Sequence, residues 1–154
     1  MKVVILGIGN ILLKDEGVGV RTIEHLRRLP LPPFVEVIDG GTATFDLLPI
    51  LSEAEHLVVI DAVKGGGEPG TIYRLTPEDL LPSEEAPISV HDLGLLEALR
   101  MVEQLGQAPR SVVIFGVEPK EIAWGMELTP EVQGAIPRVI EAVLEEVRKR
   151  AKDI

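Results

Sequence analysis

The chain has 154 residues, a net charge of −10 from 25 acidic and 15 basic side chains, and no cysteine. One domain spanning residues 1–154 is expected, and disulfides, thiolate nucleophiles, zinc ribbons and iron–sulfur clusters are excluded. The acidic balance opposes binding to a phosphate backbone, and no apolar run approaches the ~18 residues of a membrane span.

The segment before residue 14 is apolar but is broken by Gly7, Gly9 and Asn10 and followed by Asp15 and Glu16. It reads as a buried strand and loop, not as a signal peptide, so a cytoplasmic protein is expected.

Taken in chain order, residues 2–6 form a continuous apolar run that stops at Gly7, the pattern of a strand buried on both faces. Residues 17–29 read as a helix with Val18, Val20, Ile23 and Leu26 inward, ended by Pro30, Pro32 and Pro33. A second strand is expected over 35–38, closed by Asp39-Gly40-Gly41, then a short helix over 45–51. Residues 57–60 give a third buried strand that runs into Asp61, and 65–70 a glycine-rich turn. Residues 71–75 alternate like an edge strand, and Thr76-Pro77-Glu78 opens a short turn or helix.

An irregular acidic loop follows over 80–87, and Ser89-Val90-His91-Asp92 has the form of a capping box that leads a helix over 93–105. Residues 111–117 read as the fourth buried strand. A loop over 118–128 carries the single tryptophan, Trp124, for which partly buried packing is expected ahead of a role as a partner-contact anchor. A last helix opens at Thr129-Pro130-Glu131, with Ile136, Val139, Ile140, Val143, Leu144 and Val147 on one face. Strands alternating with amphipathic helices predict an α/β three-layer sandwich, a twisted and mostly parallel sheet flanked by helices.

In such folds ligands bind beyond the carboxyl ends of the strands. The residues that follow the strands are Gly7-Ile8-Gly9-Asn10 with Asp15-Glu16-Gly17, then Asp39-Gly40-Gly41-Thr42, Asp61, and Gly116 with Glu118. Gly7-x-Gly9 is a tight turn or a dinucleotide loop, but Leu12 stands where the third glycine of that fingerprint belongs. Glu16 is either an acid favoured by a helix dipole or a functional carboxylate. Asp61 directly follows Leu57-Val58-Val59-Ile60, where a carboxylate needs hydrogen bonds or a cation. His91 opens a helix, a position that disfavours imidazolium and keeps the ring neutral, as a metal ligand must be. Glu16, Asp61 and His91 together make a mixed oxygen and nitrogen donor set suited to a borderline divalent ion such as nickel or zinc. No serine lies in a G-x-S-x-G elbow, and His25 and His56 are expected to be structural or exposed.

These segments resemble the hydrogenase maturation endopeptidases, which process the large subunit of nickel–iron hydrogenases. The resemblance rests on Ile5-Leu6-Gly7-Ile8-Gly9-Asn10-Ile11-Leu12, Asp15-Glu16-Gly17-Val18-Gly19, Asp39-Gly40-Gly41-Thr42, Asp61-Ala62, Ser89-Val90-His91-Asp92-Leu93-Gly94-Leu95, Gly116-Val117-Glu118-Pro119 and Leu128-Thr129-Pro130-Glu131-Val132. It covers essentially the whole chain, and Thr44 departs from it, standing where many relatives carry glycine.

The resemblance implies a phosphorylase/hydrolase-like sandwich and a metal set of Glu16, Asp61 and His91. It implies catalytic roles for Asp39, Asp61 and Glu16, and contacts to the substrate tail from Gly7, Gly9, Asn10, Gly40, Gly41 and Thr42. The implied substrate is a hydrogenase large-subunit precursor already holding nickel, from which a C-terminal extension is removed. Nickel then arrives with the precursor, and zinc or cadmium could occupy the same donors in vitro. Water activation is open between a metal acting as Lewis acid and a carboxylate acting as in an aspartic peptidase. Two other readings stand beside it: a metal-binding chaperone of the precursor without hydrolysis, and a nucleotide-binding α/β domain.

Overall fold

The computed structural model describes residues 2–42, 47–80 and 90–152, for 90–93 the backbone alone. Among the described residues the chain forms β1 (Val3–Ile8), α1 (Val18–Leu26), β2 (Val35–Gly41), α2 (Leu47–Glu53), β3 (His56–Ala62), β4 (Ile72–Leu75), α3 (Val90–Gln104), β5 (Ser111–Val117), α4 (Pro130–Gln133) and α5 (Ile136–Ala151). Single 3-10 turns at Lys14–Gly17 and Pro77–Leu80 precede α1 and follow β4.

The five strands form one sheet in the order β2-β1-β3-β5-β4. β2, β1, β3 and β5 run parallel, and β4 pairs antiparallel with β5 at the edge. The strands alternate between two apolar layers. Val3, Ile5, Val58, Ile60, Val113 and Phe115 face one layer, closed by α1 and α5. Val4, Leu6, Leu57, Val59 and Ile114 face the other, closed by α2 and α3. This is the three-layer sandwich that the sequence predicts.

The strands run further than the apolar runs suggest. β1 continues through Gly7 to Ile8, β2 includes Asp39–Gly41, and β3 includes Asp61. Backbone pairing carries them on: Gly7 pairs with Asp39 on one side and Ile60 on the other, and Asp61 pairs with Gly116. A bulge between Gly7 and Ile8 then breaks the β1–β2 register.

The last helix is not continuous. α4 stops at Gln133 and α5 begins at Ile136. Pro137 is the reason, since it has no N–H to donate to the Gln133 carbonyl four residues earlier. The buried Ala135 marks the corner. The helical segment expected over 17–29 divides in the same way, into the 3-10 turn at Lys14–Gly17, α1, and turn hydrogen bonds reaching Leu29. Thr76 opens its turn as expected: its N–H and hydroxyl both donate to Asp79.

Gly7 and Gly19 let α1 lie against the sheet. A Cβ on Gly7 would collide with the Gly19 backbone, and one on Gly19 with the carbonyl oxygens of Ile8 and Ile60. Residues 16–19 are thereby held against the carboxyl ends of β1 and β3. His56 is buried, its ring 2.7 Å from the Ser111 hydroxyl, in keeping with a structural role.

Candidate functional site at the carboxyl edge of the sheet

The connection from β1 leads to β2 on one side, while the later strands build outward from β3 on the other. The crevice between β1 and β3 is therefore the topological switch point, where this class of fold binds ligands. Glu16 and Asp61 come to this crevice, Asp39 to the same carboxyl end of the sheet on the β2 side, and the His91 backbone to the first turn of α3.

Asp61 is 1% exposed, and one carboxylate oxygen accepts from the Ala62 N–H at 2.8 Å. Alternation along β3 puts it on the face of Leu57 and Val59, the layer covered by α2 and α3. α3 begins at Val90, so the His91 backbone opens the helix on that same face. The His91 side chain lies outside the described residues, as do Ser89, Thr44 and the acidic loop beyond Leu80. Glu16, half-buried, sits in the Lys14–Gly17 turn, which packs against β3. Among the described residues no three His, Asp or Glu side chains form a group that could hold a metal. Glu16 and Asp61 therefore supply at most two members of the expected set.

Asp39 belongs elsewhere. It is exposed, and alternation along β2 puts it on the α1 face with Val35 and Val37. It lines a cleft of about 300 Å³ together with Gly9, Asn10, Leu12, Gly41 and Thr42. One of its oxygens accepts from the Gly41 N–H at 2.9 Å, which fixes the carboxylate at the rim. β1 lies between Asp39 and Asp61, so their backbones are about 10 Å apart across the sheet, and their side chains leave opposite faces. They are not the adjacent, proton-sharing pair of an aspartic peptidase, whose carboxylates lie about 3 Å apart.

The glycine-rich segments divide between packing and the cleft. Gly7 is buried and its side-chain space is filled by α1, while a Cβ on Gly40 would meet Leu6. Gly9 has φ +134, and a Cβ there would collide with the Glu16 carbonyl oxygen, so the close approach of loop and turn requires glycine. Asn10 holds its own loop, its side-chain oxygen accepting from the Leu12 N–H at 2.9 Å.

Two carboxylates have structural roles that the sequence did not reveal. Asp15 is fully buried, and its oxygens accept from the Lys120, Glu121 and Thr129 N–H groups at 2.8–2.9 Å and from the Thr129 hydroxyl. Glu118 is buried beneath the glycine-rich turn. Its Oε1 accepts from the N–H groups of Gly65 and Gly67 and from the Tyr73 hydroxyl at 2.7 Å. Burial, and then this bond to a carboxylate, push the Tyr73 phenol above its ordinary value. Both carboxylates are paired with backbone donors far away in sequence, which no local pattern displays.

Trp124 corrects an expectation. It is 81% exposed, not packed. Hydrogen bonds at Lys120, Glu121, Gly125 and Thr129 tie the loop backbone to Asp15 and to the β1–α1 segment, and in that arrangement the indole stays outside.

The family model for hydrogenase maturation protease matches residues 20–146. The chain is 38% identical over 151 residues to the hydrogenase 2 maturation protease of Escherichia coli K12, covering 97% of this chain and 92% of that one. The structure resembles the hydrogenase maturating endopeptidase HybD of E. coli with a TM-score of 0.90 at 36% identity, covering 97% and 94% of the two chains. It resembles the [NiFe] hydrogenase maturation protease HybD of Thermococcus kodakarensis with a TM-score of 0.75 at 28% identity, covering 94% and 98%. With a matched model over most of its length and near-complete overlap with these proteins, the chain belongs to the hydrogenase maturation protease family.

Proposed function

We propose that this protease removes a C-terminal extension from the nickel-loaded precursor of a nickel–iron hydrogenase large subunit, acting in the cytoplasm. Family membership carries the coarser statement, a protease of hydrogenase maturation acting on a hydrogenase precursor. The observation that supports the finer one is the separation of two acidic centres at the carboxyl edge. Asp61 lies on the face covered by α3, with the Glu16 turn packed against its strand, while Asp39 lies in an open cleft on the other face.

In this reading the first centre recognises and the second cuts. Glu16, Asp61 and His91 offer two carboxylates and an imidazole to the nickel that the precursor carries, a donor set that fits a borderline ion and equally zinc or cadmium. The scissile tail lies in the cleft along Gly9, Asn10, Gly41 and Thr42. Asp39, held by the Gly41 N–H, takes a proton from the attacking water and returns it to the leaving amine. The distance between the centres makes the presence of the metal a gate on the substrate and leaves proton transfer to a separate carboxylate.

The test is to mix the purified protein with precursor prepared with and without nickel, and to weigh the precursor by mass spectrometry. Loss of a defined C-terminal peptide from the nickel-loaded sample alone, abolished by Glu16→Ala, is the expected result. A precursor that stays intact in a stable complex would instead support the non-hydrolytic chaperone reading.

A further inference from the structure

The loop that carries Trp124 is tied down by hydrogen bonds to its main chain and displays several large apolar side chains outward. Asp15 holds one limb through the Lys120 and Glu121 amides and the other through Thr129. Between them the Gly125 N–H donates to the Leu12 carbonyl and the Lys14 N–H to the Gly125 carbonyl, both at 2.9 Å. Arg21 donates to the Met126 carbonyl at 3.0 Å. The side chains of Ile122, Trp124 and Met126 take no part in these anchors and stay 40%, 81% and 58% exposed. Leu12, across the Gly125 bridge, is 46% exposed. Two ion pairs border this surface, Lys14 with Glu121 and Lys120 with Glu131, and the exposed Glu127 beside Met126 adds an acidic charge at its edge. Large apolar side chains displayed together on an ordered loop mark an interaction surface, and tryptophan is the residue most enriched at binding hot spots.

Leu12 also forms part of the wall of the Asp39 cleft. The surface is therefore continuous with the place where the tail is cut. A cleft of about 300 Å³ accommodates a few residues of chain, so the body of a folded substrate must rest on the rim. We propose that Leu12, Ile122, Trp124 and Met126 are the docking surface for the body of the hydrogenase precursor, meeting an apolar patch beside its scissile tail. The inference rests on the proposed function for the identity of the substrate, and on the exposed loop for the surface.

Trp124 is the single tryptophan, so full-length protein grown with 5-fluorotryptophan carries one fluorine resonance at the surface. Adding unlabelled nickel-loaded precursor is expected to shift or broaden it. Trp124→Ala and Met126→Ala are each expected to raise KM for processing at least about tenfold, with the loss falling on KM and not on kcat. Leu105→Ala, a comparably exposed apolar site beyond α3, should leave both constants unchanged. Processing with an unmoved resonance and unchanged KM in both variants overturns the docking surface while the protease reading stands. A shifted resonance without cleavage supports the surface and overturns the hydrolytic reading. A resonance that moves with protein concentration alone overturns the proposal in favour of self-association.

Discussion

Asp15 and Thr129 lie 114 positions apart, yet the Thr129 N–H and hydroxyl both donate to the Asp15 carboxylate at 2.8 Å. Thr129 stands at the N-cap of α4 but makes no capping bond of its own; its hydroxyl is used on Asp15. One buried carboxylate thus ties the turn bearing Glu16 to the loop bearing Trp124 and to the start of the C-terminal helices.

Removing that carboxylate leaves buried donors without acceptors. Asp15→Ala is expected to destabilise the fold by roughly 2–5 kcal/mol, because three main-chain amides lose their partner at once. Urea unfolding measures it.

Asp39→Asn separates proton transfer from recognition. Cleavage of nickel-loaded precursor is expected to fall by about 10²–10⁴-fold, with complex formation unchanged. Asp61→Asn should do the reverse, weakening the complex with nickel-loaded precursor. Processing time courses and a pull-down of uncleaved precursor measure the two effects. Full activity in Asp39→Asn removes it as the base.

Glu146 is 2% exposed on α5 and receives Arg74 at 3.1 Å and Arg150 at 2.9 Å. Burial by itself would raise its pKa. Hydrogen bonds from the two guanidinium groups outweigh that, and the carboxyl sits below its ordinary 4.5. A depressed folded-state value contributes stability that is present above 4.5 and is lost as pH falls through the folded value. Glu146→Gln is therefore expected to cost about 1–3 kcal/mol near neutrality. The gap from the parent should close in acid, as followed by thermal melts across pH.

Most of the architecture was legible because it rests on short-range physics. The short, β-branched apolar runs around Val3–Ile5 and Leu57–Ile60 have the pattern of strands buried on both faces, and the 3- and 4-residue spacing from Ile136 to Val147 has that of a helix face. The motif residues were legible for the same reason: they follow the strands, and a parallel sheet gathers strand ends on one edge. The break at Pro137 was readable in principle, since a missing N–H acts on its own helix.

What the tertiary structure alone decided depends on pairings across the chain. Alternation along β2 and β3 sends Asp39 and Asp61 to opposite faces, a fact that needs the strand order as well as the strands. Asp15 and Glu118 look like ordinary acids in the sequence and become the anchors of two loops because their partners lie 105 and 53 positions away. Trp124 was expected to pack because its side chain favours burial, and it is exposed because its loop backbone is already held from both sides. Sequence patterns carry the propensities of single segments. Which buried carboxylate meets which amide, and which apolar side chain is left outside, is set only when all the segments close on one another.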